Sequence, residues 1–110
     1  MRRPKVSSCD GACPVQRAVE VLDGKWTLLV LRELMGGTRR FGELRRSIGD
    51  VNPKTLAERL RALEAHDIVT RKVFPEVPPR VEYTLTAKGK DLAPVIRALA
   101  GWGETWTRAS

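Results

Sequence analysis

The feature of this chain that most constrains its fold is a change of hydrophobic period at His66 and Asp67. Before this point apolar residues recur at steps of three and four, as on the buried face of a helix, and after it they alternate, as in half-buried strands. The two alternating runs are IVTRKVF and RVEYTLT, separated by PEVPP. Because proline has no N–H donor, PEVPP cannot extend a strand ladder, and we predict a two-stranded hairpin with a stiff tip.

Four short helices are predicted before the hairpin. The first ends near Asp23 and Gly24, and the second ends at the Gly36-Gly37 pair. We expect the inner side of the second helix to consist of Trp26, Leu29, Val30 and Leu34. A short extended connector over residues 38–40 then leads to the third helix, FGELRRSIG.

The fourth helix has a start that is predicted residue by residue. Asn52 is a good N-cap, Pro53 suits the first helical turn, and Val51 is placed to pack against the helix. The inner stripe consists of Leu56, Leu60 and Leu63. At 100° per residue, the outward side then carries Lys54, Glu58 and Arg61, with Thr55 and Arg59 on the flanks.

A last helix is predicted over about residues 86–107, beginning at a capping Thr86. Its apolar stripe comprises Leu92, Val95, Ile96, Leu99, Trp102 and Trp106. The two tryptophans are explained either by packing onto the chain's own core or by a subunit interface, where tryptophan is enriched. Since four other helices and a hairpin already compete for a small core, we favour the interface.

The order of elements predicts a winged helix-turn-helix, a mainly α fold with a small β-hairpin. A chain of 110 residues fits one domain, which we place at residues 13–110. Residues 1–12 contain arginine, proline, serine and glycine without periodicity, and we expect a flexible basic arm there. We expect the protein to be dimeric through its last helix.

Composition narrows the function classes. Lys and Arg outnumber Asp and Glu by 20 to 13, a net charge of +7, which favours a polyanion partner or serves only solubility. Neither a membrane-length apolar run nor a signal-peptide core is visible, so we predict a cytoplasmic protein with no membrane partner and reduced cysteines. One histidine, no nucleophile-plus-base spacing and no glycine-rich phosphate loop argue against an enzyme, and no cofactor is predicted.

Double-stranded DNA is the predicted partner, because the second helix of a helix-turn-helix pair lies in the major groove. The candidates for contact with base edges are Lys54, Thr55, Glu58 and Arg61. The candidates for phosphate or wing contact, which we expect on one side of the domain, are Arg39, Arg40, Arg45, Arg46, Arg59, Arg71, Lys72 and Arg80.

Several segments together resemble the HxlR-type winged-helix transcriptional regulators of bacteria, within the MarR-like superfamily. They are CPV, GKWTLLVLREL, RRFGELRR, KTLAERLRALE and PEVPPRVEYTLTAKG, and the match spans residues 13–106. The resemblance implies a homodimer on a pseudo-palindromic operator, with an interface formed by the first and last helices. The residues expected in that interface are Val15, Val19, Leu92, Val95, Ile96, Leu99, Trp102 and Trp106. One departure is His66-Asp67, where the family usually has an acidic residue and glycine.

Both cysteines lie near the start, at Cys9 and Cys13. Cys13 precedes Pro14 at the start of the first helix, where the positive end of the helix dipole favours the thiolate. The resemblance implies a sensing role for Cys13 alone, because several family members use a cysteine directly before the proline to sense quinones, aldehydes or hypochlorite. The alternatives are an electrophile or redox switch, in which Cys9 is a resolving partner, and two thiols without a function.

Two other functions stay open at this stage. A winged-helix metal or small-ligand sensor would draw on Cys9, Cys13, Asp10 and His66, although His66 is far from the arm in sequence. A protein-interaction winged helix without DNA binding is the other, and it would not need the basic outer face. We therefore predict a sequence-specific DNA-binding regulator, with thiol sensing through Cys13 as its candidate signal.

Overall fold

The computed structural model describes residues 13–107, which form six helices and three strands. The helices are α1 Pro14–Leu22, α2 Thr27–Met35, α3 Phe41–Ile48, α4 Pro53–Ala65, α5 Ala87–Lys90 and α6 Ala93–Trp106, and the strands are β1 Arg39–Arg40, β2 Val69–Phe74 and β3 Arg80–Leu85. The predicted basic arm, residues 1–12, lies outside the described residues, and Cys9 lies there with it.

The core forms where α2, α3 and α4 meet the sheet. Its most deeply buried side chains are Val30, Leu31, Leu44, Val51, Leu56, Leu60 and Leu63. The leucine stripe of α4 is therefore confirmed. For α2 the prediction is wrong at one position, because Leu31 is fully buried while Leu29 is only half-buried. The helix buries Thr27, Val30, Leu31 and Leu34 instead, which follow the spacing i, i+3, i+4 and i+7 of one helical face.

The start of α4 agrees with its prediction. The Asn52 side chain accepts a hydrogen bond of 2.8 Å from the backbone N–H of Lys54, and Pro53 occupies the first turn. This bond satisfies one of the N–H groups that a helix start leaves without an intrahelical acceptor. Val51, one residue earlier, is buried in the same core as Leu56. The orientation of α4 is thus fixed at its N-terminus, which is the end that matters for DNA.

The end of α4 is a Schellman motif. The N–H of Ile68 bonds the carbonyl of Leu63 at 2.9 Å, and the N–H of Asp67 bonds that of Glu64 at 3.0 Å. Asp67 occupies the left-handed position, with φ of +64°, where glycine is the usual residue. The buried side chains of Ile68 and Leu63 belong to one core cluster, so the turn delivers the chain directly into β2.

The sheet has three antiparallel strands in the order β1-β3-β2. The hairpin of β2 and β3 is confirmed, with Val69 opposite Leu85 and Phe74 opposite Arg80. The extended connector is more than a linker, because Arg39 pairs with Tyr83 and adds β1 to the outer edge of β3. This pairing ties the chain between α2 and α3 to the base of the hairpin.

The single last helix predicted over residues 86–107 is wrong, because the segment forms two helices, α5 and α6. Thr86 does cap the first one, since its hydroxyl accepts the N–H of Gly89 at 3.0 Å. The break precedes Pro94, whose ring would clash with the carbonyl four residues back in a continuous helix. Gly89 is buried, and a Cβ there would collide with the carbonyl oxygen of Ile68, so α5 packs tightly on the turn after α4.

Candidate nucleic-acid interface

The helix-turn-helix pair consists of α3 and α4, joined by residues 49–52. The turn begins at Gly49, whose φ of +104° lies in the region that favours glycine. Leu44 of α3 and Leu56 of α4 are both completely buried and belong to the same core cluster. Packing along these inner sides leaves the opposite side of α4 facing solvent.

The outward side of α4 carries three charged residues that are exposed, Lys54, Glu58 and Arg61. Among residues 13–107, their side chains make no hydrogen bond or ion pair. Thr55, the fourth candidate for base contact, is half-buried on the flank. The three charged side chains are therefore available to an external partner.

Arg59, on the other flank of α4, points back toward the loop between α1 and α2. Its Nε donates a 2.9 Å hydrogen bond to the carbonyl oxygen of Lys25. A Cβ at Gly24 would lie 2.6 Å from that Nε, and Gly24 has φ of +100°, so glycine gives both the space and the backbone conformation. Arg59 thus connects α4 to the preceding helices, and its charge reaches the domain surface beside the loop.

The basic residues of the sheet do not lie on one side, contrary to the expectation from the sequence. Successive side chains of a strand point to opposite faces, and cross-strand partners share a face. The register places Arg39 and Arg71 with Tyr83 on one face. It places Arg40 and Lys72 with Glu82 on the other face. The predicted phosphate contacts of the sheet are therefore divided into two pairs.

Arg80 lies at the base of the hairpin tip and is engaged within the hairpin. Its guanidinium carbon is 3.9 Å from the ring centroid of Phe74. The same guanidinium is 3.2 Å from a carboxylate oxygen of Glu76 and 3.3 Å from one of Glu82. Lys72 also stands over the Phe74 ring, at 5.1 Å. These contacts stiffen the hairpin and offset much of the charge of Arg80.

The arginines of α3 are exposed near the end of that helix. Arg45 and Arg46 border a shallow depression of about 320 Å³ together with Gly42 and Gly49. Neither side chain forms an ion pair with another described residue. The depression has two positive charges and little apolar surface, which suits a phosphate group rather than an apolar ligand.

An apolar surface lies away from the helix-turn-helix, on α1 and α6. Trp102 is 62% exposed and Trp106 is 71% exposed, so neither tryptophan packs into the core of its own chain. The other large apolar residues exposed on these helices are Val15, Val19, Val95 and Leu99. Leu92 and Ile96, which were grouped with them, lie instead on the side of α6 that packs against the core.

Cys13 is the N-cap residue of α1 and is half-buried. Its carbonyl accepts the first helical hydrogen bond, from the N–H of Arg17 at 3.0 Å, and Pro14 follows in the first turn. The predicted position of Cys13 at a helix start is confirmed. His66 lies at the other end of the domain's helical part, as the C-cap of α4, where its carbonyl accepts a bond from Lys88 Nζ at 2.8 Å.

Two further observations concern the described range as a whole. Within residues 13–107, no three side chains of His, Cys, Asp or Glu approach one another closely enough to hold a metal ion. None of the helices in that range has the length and apolar character needed to cross a membrane.

Comparison with known families matches this architecture. A family model described as "HxlR-like helix-turn-helix" matches residues 21–110. The chain belongs to the HxlR-like helix-turn-helix family. An uncharacterised HTH-type transcriptional regulator from Synechocystis sp. is 51% identical over 94 residues, which cover 86% of this chain and 70% of the relative. This HxlR-like protein is accordingly a transcriptional regulator and not an enzyme.

Two solved structures resemble this HxlR-like regulator along most of its length. The redox regulator HypR in its oxidised form has a TM-score of 0.82 at 38% identity, covering 88% of this chain and 100% of that one. The reduced form of the transcriptional regulator YodB from B. subtilis has a TM-score of 0.74 at 39% identity, covering 87% and 95%. The winged-helix fold predicted from the sequence is therefore confirmed.

Sequence reasoning missed one structural support of the HxlR-like interface, the carbonyl of Lys25 that positions Arg59. The two residues are 34 positions apart, and no periodicity links a loop carbonyl to a helix flank. The glycine at position 24 was interpreted only as a helix stop. Its second role, leaving space for the Arg59 guanidinium, depends on tertiary packing.

Proposed function

We propose that this HxlR-like regulator acts in the cytoplasm as a homodimer that binds a specific pseudo-palindromic DNA duplex, with α4 of each subunit in the major groove. The observation that carries the proposal is the outward side of α4, where Lys54, Glu58 and Arg61 are exposed and make no contact within the described chain. In a helix-turn-helix, the second helix presents such side chains to base edges.

The proposed roles follow from the chemistry of each side chain. Lys54 and Arg61 donate to guanine, Glu58 accepts from the cytosine amino group, and Thr55 suits either kind of base. Arg45 and Arg46, which border the depression on α3, hold phosphates and set the orientation of the domain. On the sheet, the two pairs on opposite faces give the hairpin basic groups on either side of its tip. They are Arg39 with Arg71 and Arg40 with Lys72.

Two subunits join, in this proposal, through the apolar surface of α1 and α6. Pro94, Val95, Ala98, Leu99 and Trp102 line a groove of about 760 Å³ with almost no polar surface. Leaving two tryptophans in water on one small domain is unfavourable, and a second copy of the same surface would cover them. A two-fold axis there sets two α4 helices on one face, as operator half-sites about 34–36 Å apart require.

Thiol sensing is the regulatory part of the proposal, with Cys13 as the reacting residue and Cys9 as its candidate resolving partner. Support comes from the helix start at Cys13 and from the likeness to HypR, which is itself a redox regulator. Cys13 is on the helix that carries Val15 and Val19, so a disulfide at Cys13 would act directly on the proposed subunit contact.

DNA binding is tested with the duplex upstream of the regulator's own or adjacent gene, labelled and titrated at increasing salt. A shuffled duplex of identical composition is the control. The expected affinity for the natural duplex is about 10³-fold higher or more, and both affinities fall steeply with salt. Equal affinity for the two duplexes at every salt concentration would overturn the proposal.

A further inference from the structure

A cavity of about 420 Å³ lies where the end of α2, the outer edge of the sheet and the junction of α5 and α6 come together. Its apolar wall is formed by Leu34, Met35 and Ala93. The volume falls within the range of about 300–1,000 Å³ that small-molecule sites occupy. The cavity is separate from the outward side of α4 and from the apolar groove of α6, because it shares no lining residue with either.

The polar side of the cavity carries one positive charge and two hydroxyls. Lys90 is the charged residue among its lining side chains, and its ammonium makes no hydrogen bond or ion pair with another described residue. The hydroxyls of Thr38 and Thr84 lie 2.8 Å apart and share one proton between them. The hydroxyl that accepts this bond keeps its own proton, so the pair offers one further donor to a ligand.

Two helix ends at the cavity strengthen its preference for an anion. α6 begins at Ala93 without a side-chain cap, so the positive end of its dipole faces the cavity wall. The negative end of α2 is covered by Arg39, whose guanidinium would lie 2.7 Å from a Cβ at Gly36 and 3.6 Å from one at Gly37. Cations or cationic ends therefore stand on two sides of the cavity, above an apolar wall.

We propose that this cavity binds a small organic acid, a carboxylate carried on an apolar ring or short chain. The carboxylate pairs with Lys90 and accepts the free hydroxyl proton of the Thr38–Thr84 pair, and the apolar body packs on Leu34 and Met35. A charged oxygen with two such donors forms strong, charge-assisted hydrogen bonds. Neither the predicted base contacts nor the cysteines take part in the site.

Binding at this site has a consequence for DNA, which rests on the proposed function. Arg39 is a predicted phosphate contact, and its guanidinium borders the cavity at the two glycines that end α2. An organic anion beside Arg39 competes with a DNA phosphate for the same charge. The bound acid therefore lowers the affinity of the regulator for DNA.

The test uses benzoate and the full chain without DNA, followed by amide chemical shifts in NMR. We expect saturable shifts at Thr38, Thr84 and Ala93, and weaker binding of the neutral analogue benzamide. Lys90→Gln should weaken benzoate binding about tenfold, as loss of a charged hydrogen bond predicts. Lys88→Gln is the matched control, because Lys88 is exposed on the same short helix but bonds His66 and does not line the cavity.

Shifts that do not saturate, or equal weakening by Lys88→Gln and Lys90→Gln, would overturn the site. A second titration measures DNA affinity with and without saturating benzoate. A lower affinity in wild type, with no change in Lys90→Gln, supports competition with phosphate, and an unchanged affinity in wild type overturns it. Since the NMR titration contains no DNA, failure of DNA binding itself would be distinguished from failure of the site.

Discussion

Asp67 holds a left-handed backbone at the end of α4, with φ of +64°. For a residue with a Cβ this conformation costs free energy, and glycine adopts it without that cost. The surrounding hydrogen bonds leave no freedom, because the Schellman motif uses the N–H groups of both Asp67 and Ile68. The exposed aspartate side chain makes no hydrogen bond with another described residue, so nothing visible offsets the strain.

Asp67→Gly should therefore stabilise the protein by up to about 1 kcal/mol, the difference between relieved strain and the greater entropy of glycine in the unfolded chain. Urea denaturation followed by circular dichroism measures the change. Ala65→Gly, two residues earlier and still helical, is the control and should destabilise by about 1 kcal/mol. A loss of stability in Asp67→Gly would show that the aspartate is favoured at this turn.

At the scale of elements, local patterns predicted most of the fold. The N-cap at Asn52, the leucine stripe of α4 and the hairpin all follow from residues that are close in sequence. Two features were missed because they depend on distant partners. β1 is a strand only because Arg39 and Arg40 pair with β3, and α5 is separate because Gly89 packs under the carbonyl of Ile68 as well as because Pro94 breaks the helix.

The site shows the same division between local and distant causes. Lys54, Glu58 and Arg61 could be placed on the outer side of α4 from helical periodicity alone. The bond from Arg59 to the Lys25 carbonyl and the division of the sheet arginines could not, because they require the tertiary contact and the strand register. For the same reason the stripe of the last helix was drawn too wide, since the core covers Leu92 and Ile96.

The outward face of α6 gives a prediction about assembly. Trp102→Ala removes a large exposed apolar side chain from the proposed subunit contact, where such anchors contribute about 2 kcal/mol or more. Sedimentation equilibrium should show a dimer at least about 30-fold weaker than wild type. Arg97→Ala, on the opposite side of the same helix, should leave the dimer unchanged. Equal masses for Trp102→Ala and wild type would contradict the interface.

At the scale of the whole molecule, the proposed reactive thiol, subunit contact and DNA-reading helix occupy different parts of the domain. Cys13 begins α1, which carries the exposed Val15 and Val19, whereas α4 is linked to this part of the chain through Arg59 and the loop after α1. A covalent change at Cys13 therefore has a short structural route, through α1 and the loop that follows it, to the recognition helix.

Diamide tests the thiol part of the account, since it oxidises two thiols to a disulfide and is itself reduced to the hydrazine. We expect diamide to release wild-type protein from its duplex and Cys13→Ser to stay bound. Cys9→Ser separates the two disulfides: continued release with a linked dimer on a non-reducing gel indicates a bond between subunits. An unaltered diamide response in Cys13→Ser would exclude the switch.

The central claim is that the outward side of α4 reads DNA sequence, and the most direct measurement compares two arginine variants on two duplexes. Arg61→Ala should lose about 1–3 kcal/mol on the natural duplex and little on the shuffled one, because a base contact is lost. Arg46→Ala, on α3, should weaken binding to both duplexes alike, because a phosphate contact is lost. Equal, sequence-independent losses in the two variants would contradict the claim.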